Sequence, residues 1–134
     1  TDEEWRIPHF EKMLYDNALL AYVYAEAAAI ASDDFLARVA ERTLDFALRE
    51  MTDPAGGFYC AQDADSEGKE GLFYALGRAE TLEIFGPDGA AFARRFDIGE
   101  AGNFEGRNIP NLLGDPDFRG AWAAHSVDLQ KLRA

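Results

Sequence analysis

Trp5-Arg6-Ile7-Pro8-His9-Phe10-Glu11-Lys12-Met13-Leu14-Tyr15-Asp16-Asn17-Ala18 leads into the longest apolar-periodic stretch of the chain, and its reading decides the fold. Proline lacks an N–H that the first helical position would leave unpaired anyway, so Pro8 marks a helix start. From there Phe10, Met13, Leu14, Leu20, Ala21, Tyr24 and Ala28 recur at helical spacing. Ser32-Asp33 offers an N-cap to a second helix with two adjoining apolar stripes, Phe35, Val39, Thr43, Phe46 and Leu36, Ala40, Ala47, Met51. Asp53-Pro54-Ala55-Gly56-Gly57 ends it in a turn. Only a few residues join the two helices, so residues 9–31 and 34–51 are expected to form an antiparallel αα-hairpin that buries Leu14, Ala21, Val39, Ala40 and Ala47.

Beyond the hairpin the pattern shortens. Gly57-Phe58-Tyr59-Cys60-Ala61 and Gly71-Leu72-Phe73-Tyr74-Ala75 are short aromatic runs around an acidic stretch, residues 62–70, and read as a β-hairpin or as two extended arms. A helix from Arg78 to Phe85 is broken by Gly86-Pro87, and another follows from Asp88 to Phe96. Residues 97–120 are rich in glycine and proline and read as loop, and Val127 to Arg133 as the start of a further helix.

The 134 residues suffice for one domain with a core, and 48% apolar residues make it globular. No run of 18 or more apolar residues occurs, so no membrane-spanning segment is expected. The net charge of −12 opposes phosphate backbones and anionic lipid, so nucleic acid is not an expected partner. The single cysteine, Cys60, has no internal partner, which fits a reducing, cytoplasmic setting. His9 and His125 are the only histidines, and no nucleotide-loop or paired-cysteine motif is present, so no zinc site and no cofactor are expected.

Three constellations carry polar chemistry. On a helix beginning at Pro8, His9, Lys12 and Asp16 share a face at spacings i, i+3 and i+7, and a first-turn imidazole is held neutral by the helix dipole, as a general base requires. Equally, the histidine caps the helix and Lys12–Asp16 is a surface pair. Asp63, Asp65, Glu67 and Glu70 place four carboxylates within eight residues, whose mutual repulsion calls for a cation, a polyol or the protein's own basic groups. The alternation Asp63-x-Asp65-x-Glu67-Gly68 matches half of a calcium loop, but Tyr74 stands where the bidentate glutamate belongs. A solvated acidic loop explains the same residues. In the third constellation, Asn103, Glu105, Arg107 and Asn108 offer donors and acceptors on a glycine-hinged loop, suited to sugar hydroxyls and equally to turn formation.

Taken together and in order, the Trp5–Ala18 block, Gly56-Gly57-Phe58-Tyr59 with Gln62-Asp63-Ala64-Asp65-Ser66-Glu67-Gly68, and Gly102-Asn103-Phe104-Glu105-Gly106-Arg107-Asn108 resemble the thioredoxin-domain-containing, spermatogenesis-associated family over residues 1–110. The resemblance implies a mainly α fold, with residues 1–134 a fragment of an (α/α)6-type toroid like that of six-hairpin glycosidases and sugar epimerases, the family's thioredoxin-like domain being absent. It further implies that His9, Asp16, Asp63 and Asp65 are catalytic and that Glu11, Tyr15, Glu67, Asn103, Glu105 and Asn108 bind substrate. Residues 111–134 match no block of the family.

Two function classes follow. One is a carbohydrate-active domain that takes a sugar ligand, acting as a hydrolase through paired carboxylates or as an epimerase through His9. The other is a non-catalytic binding or scaffolding module, with or without a structural calcium loop. In either, unpaired toroid helices leave apolar faces through which the chain is expected to oligomerise.

Overall fold

The computed structural model describes residues 1–120 and 122. It is mainly helical, with four α-helices and two small antiparallel strand pairs among the described residues. The chain divides into two compact units, His9–Glu70 and Thr1–Pro8 together with the chain from Gly71 onward. The further helix expected over Val127 to Arg133, and His125, lie outside the described residues.

In the His9–Glu70 unit, α1 (Leu14–Ala31) and α2 (Asp34–Glu50) pack on one another across a two-residue connection, as an αα-hairpin. Ser32 turns the chain in the left-handed region, and the Asp33 carboxylate caps α2 by accepting from the N–H groups of Phe35 and Leu36 at 2.9 and 3.3 Å. Ala21, Ala40 and Ala47 are buried as expected, whereas Leu14 and Val39 are half-buried. The two helices differ in character. In α2 the apolar and polar faces are well separated, while α1 is apolar around its whole circumference. Ala21 is buried, yet Tyr15, Leu19, Tyr22, Val23 and Ile30 are exposed, Ile30 by 85%. A helix that is apolar all round is normally covered all round.

One boundary differs from the sequence expectation. Residues 9–31 are not helical throughout, because α1 begins at Leu14 and its N-cap Met13 is extended. Ahead of it, β1 (Lys12–Met13) pairs antiparallel with β2 (Ala61–Gln62), matching Lys12 with Gln62 and Met13 with Ala61. The Leu14 N–H continues this ladder by donating to the Cys60 carbonyl at 2.9 Å. First-turn N–H groups have no partner inside their own helix, so a neighbouring extended segment can claim them. Phe10, only 3% exposed, anchors the extended lead-in. Pro8 is therefore not the first helical residue.

The expected aromatic-armed β-hairpin is also corrected. Phe58 bridges Thr52, Ala61 pairs with β1, and Leu72–Tyr74 is a turn of 3-10 helix. The hairpin that does form is smaller and lies inside the acidic stretch, between β3 (Asp65–Ser66) and β4 (Lys69–Glu70). Its loop is Glu67-Gly68, with φ of 55° and 75°. Two consecutive left-handed residues make the type I′ turn whose twist matches that of paired strands.

In the other unit, α3 (Arg78–Phe85) and α4 (Gly89–Arg95) are linked by the 3-10 turn Gly86–Asp88. Phe85, Phe92 and Phe96 stack in sequence with centroid spacings of 4.1 and 4.4 Å. With Leu76, Ala93 and Ile98 they form the core cluster. Residues 97–117 are irregular, as expected, and are tied to Leu76 by a bridge to Asn108.

Candidate functional site

In the His9–Glu70 unit the strand pair β1–β2 joins the first sequence block to the second. Since Lys12 opposes Gln62, the next residues outward, Glu11 and Asp63, leave the pair at the same end. The first and second sequence blocks thus meet at this strand pair. His9, Glu11, Asp63, Asp65 and Glu67 are all exposed. The helical face of His9, Lys12 and Asp16 does not exist, because only Asp16 lies on α1. Asp16 and Tyr15 occupy the first turn of α1, both exposed, where the carboxylate of Asp16 complements the helix dipole.

Local geometry accounts for much of the acidic stretch. The Asp63 carboxylate accepts the Asp65 N–H at 3.1 Å, an Asx turn that leads into the hairpin. Asp65 and Glu70 stand opposite each other across that hairpin, and Ser66 opposes Lys69. Opposed carboxylates repel, so an approaching cationic or hydroxyl-rich group would relieve them. Glu67 and Gly68, which the calcium alternation would wrap around an ion, instead form the turn. Among the described residues no three His, Cys, Asp or Glu side chains converge as a metal cluster.

The third block lies in the other unit and is built as a fastening. Asn108 is 2% exposed. Its side-chain amide donates to the carbonyls of Leu76 and Gly99 at 3.2 and 3.1 Å and accepts the Gly99 N–H at 2.9 Å. Asn103 closes a second clamp, donating to the Ile109 carbonyl at 3.0 Å and accepting its N–H at 2.7 Å. Phe104 and Arg107 exchange both backbone bonds around Glu105-Gly106, whose φ values of 48° and 76° repeat the type I′ geometry of Glu67-Gly68. Glu105 is exposed at this tip. A Cβ on Gly102, at φ +75°, would strike the Arg107 carbonyl and the Gly106 backbone, so only glycine fits. Arg107 donates to the Ala75 carbonyl and to the Glu80 carboxylate, each at 2.9 Å.

A pair missed in the sequence lies near β2. The Tyr59 hydroxyl donates to the Asp53 carboxylate at 2.6 Å, and the Ala55 N–H donates to its other oxygen at 2.7 Å. The tyrosine bond, helped by the backbone one, holds Asp53 below the usual carboxylate range and pushes the Tyr59 phenol up. Only the Asp-Pro-Ala-Gly-Gly turn, which folds Tyr59 back toward Asp53, could have signalled it.

No family model matches the chain. It is similar to spermatogenesis-associated protein 20 of rat, 49% identical over 160 aligned positions covering 100% of this chain and 20% of that protein. The mouse and human proteins of the same name are 36% and 35% identical, across 83% and 82% of the chain and 16% of their own length. An uncharacterised protein of Caenorhabditis elegans is 33% identical over 96% of the chain and 18% of that protein. The chain thus spans about a fifth of the length of the curated relatives it matches. The three mammalian relatives share the name spermatogenesis-associated protein 20, the family that the three sequence blocks resemble.

Proposed function

We propose that the surface where the first and second blocks meet is a sugar-binding face of a carbohydrate-active domain, hydrolase-like or epimerase-like. The observation that supports it is the β1–β2 register, which pairs Lys12 with Gln62 and so joins the block of His9 and Glu11 to that of Asp63 and Asp65 across a sequence separation of about fifty residues. An imidazole with flanking carboxylates can accept and return protons at a sugar carbon, and paired carboxylates can serve a glycosidic bond. The αα-hairpin would be one of several in an (α/α) toroid, and the uniformly apolar α1 is the feature in favour, since toroid helices are covered on two sides. Asn103 and Asn108 act in this reading as loop fastenings rather than ligands, and Glu105 stays available at its exposed tip.

The test is binding and turnover of a panel of mono- and disaccharides by the protein and by the His9→Ala and Asp65→Asn variants, each checked by thermal melting. The reading expects both variants to lose binding with melting temperatures within a few degrees of the parent. A sugar-binding protein whose affinity ignores both substitutions would refute it.

A second reading is supported by the stripe Tyr15, Leu19, Tyr22, Val23 and Ile30 on α1. Here the segment is a non-catalytic module, and the stripe packs on further helices of a longer polypeptide, since the relatives are about five times its length. Separated from them, the chain self-associates. A concentration-independent monomer in light scattering would speak against it.

A further inference from the structure

Away from the acidic surface, the unit built on α3 and α4 carries a cleft of opposite character. A cavity of about 510 Å³ is lined by Arg6, Arg94 and Arg95 together with Asp97, Leu113 and Pro116. It adjoins an apolar slot of about 480 Å³ that shares Arg6, Asn111, Leu113 and Asp115 with it and adds Trp5, Leu112 and Phe118. The chain has 13 basic residues against 25 acidic ones, so three guanidinium groups around one cavity run against its overall charge.

Both acids of the cavity are already engaged. Asp115 accepts from Arg95 at 2.9 Å and from the Asp117 N–H at 2.9 Å, and Asp97 accepts from the Asn111 amide at 3.1 Å. Arg6 pairs with Glu4 at 2.8 Å, and its side chain is 39% exposed. Arg94 is exposed at the last turn of α4. Part of the role of Arg94 and Arg95 is to complement the helix C-terminus, but that role requires neither Arg6 nor a cavity.

The Trp5 loop is held in shape. Asp2 accepts the N–H groups of Arg6 and Ile7 on one carboxylate oxygen, at 2.7 and 3.1 Å, and its backbone bonds both Trp5 and Ile7. The result is a tryptophan at φ 59° with 80% of its surface exposed. A bulky residue in the left-handed region is uncommon and costs of order 1 kcal/mol or more. That strained loop presents an indole to solvent beside the arginine cavity.

We propose that this cleft binds a small organic anion, a phosphate or carboxylate head among the arginines with a flat or apolar body in the Trp5 slot. Guanidinium groups match the planar and tetrahedral oxygens of such heads, and an exposed indole offers a stacking face to the body. The proposal is independent of the sugar-binding reading, since it uses none of its residues.

Phenyl phosphate is the probe, with inorganic phosphate and uncharged benzyl alcohol as the two half-ligands, titrated into the full chain while backbone amide shifts are followed by NMR. Saturable shifts at Arg6, Asn111 and Gly114 are expected, tighter for phenyl phosphate than for either half-ligand. Arg94→Ala should weaken phenyl phosphate by about fivefold, the upper range of an exposed ion pair, and Trp5→Ala should weaken phenyl phosphate while sparing inorganic phosphate. Both side chains are exposed, and unchanged amide spectra elsewhere confirm that the variants fold. The proposal is overturned if nothing saturates below about 50 mM, if benzyl alcohol binds as well as phenyl phosphate, or if Arg94→Ala leaves the affinity unchanged.

Discussion

Replacing Asn108 by alanine separates a fastening from a ligand-binding residue. The side chain makes three hydrogen bonds, to the Leu76 carbonyl and to both the carbonyl and the N–H of Gly99. Leu76 keeps a partner in the variant, because its carbonyl also accepts the Asn108 backbone N–H at 2.9 Å. The two Gly99 groups lose theirs, and Gly99 is exposed enough for water to replace them in part. At about 1 kcal/mol net per bond, plus about 1 kcal/mol for the void left in a buried site, the loss should be about 2–4 kcal/mol. In a chain of this size that lowers the melting temperature by about 10 °C. Chemical denaturation with urea, followed by far-UV circular dichroism, measures it directly. Asn108→Asp sharpens the test, because it keeps the acceptor for Gly99 but turns a carboxylate toward two carbonyl oxygens. Burial and those carbonyls raise the folded pKa of that carboxyl above its unfolded value, so its contribution is fully present below the unfolded pKa and is lost as pH rises through the folded one. The aspartate variant should therefore gain on the alanine variant at pH 4 and fall behind it at pH 7. A loss under about 1 kcal/mol for Asn108→Ala, with no pH-dependent crossing, would refute the fastening and return Asn108 to the candidate ligand-binding set.

Three further outcomes are expected. Gly102→Ala should destabilise by more than about 2 kcal/mol in the same urea assay, since strain at φ +75° adds to a clash with backbone that cannot move aside. Glu67→Asn and Glu105→Asn should each stabilise by about 0.5–1 kcal/mol, because asparagine tolerates the first position of a type I′ loop better than glutamate does; lost sugar binding in the more stable Glu67→Asn protein would show that Glu67 serves the ligand. Tyr59→Phe should move the Asp53 carboxyl up toward its ordinary value in a carbon-detected NMR titration. Since Asp53 is depressed in the folded state, its contribution holds above the unfolded pKa and is lost as pH falls through the folded one, so the variant's deficit should appear above the usual carboxylate range and vanish in acid.

How much of this was legible in the sequence depends on how locally each feature is determined. The bounds of α3 and the start of α2 matched closely, because Gly86-Pro87 and Asp33 act within a turn of the residues they stop or cap. The start of α1 was misplaced by six residues because Pro8, Phe10 and Met13 suit a helix and an extended lead-in alike. What decided between them was Ala61–Gln62, about fifty residues away, and no local pattern announces a two-residue strand. The same pairing joins the first block to the start of the acidic stretch, a connection that helical spacing does not announce. The third block shows a different limit. An asparagine that binds a sugar hydroxyl and one that binds a carbonyl and N–H of its own loop use the same donor and acceptor atoms, and only burial distinguishes Asn108 from a ligand-binding residue.

Glu67-Gly68 and Glu105-Gly106 connect these limits to the chemistry. Each is a two-residue left-handed turn with a glutamate in its first position, and each lies inside one of the three sequence blocks. Fold alone would be served better by asparagine there, so glutamate is a locally unfavourable choice placed at two exposed tips. Residues that oppose local preference are expected at functional positions rather than structural ones. Of the acidic side chains singled out in the sequence, Asp63 has a structural task in its Asx turn and Asp16 complements a helix dipole, whereas Glu67 and Glu105 hold strained backbone and offer their carboxylates to solvent. Stability and binding should move in opposite directions when either glutamate is replaced.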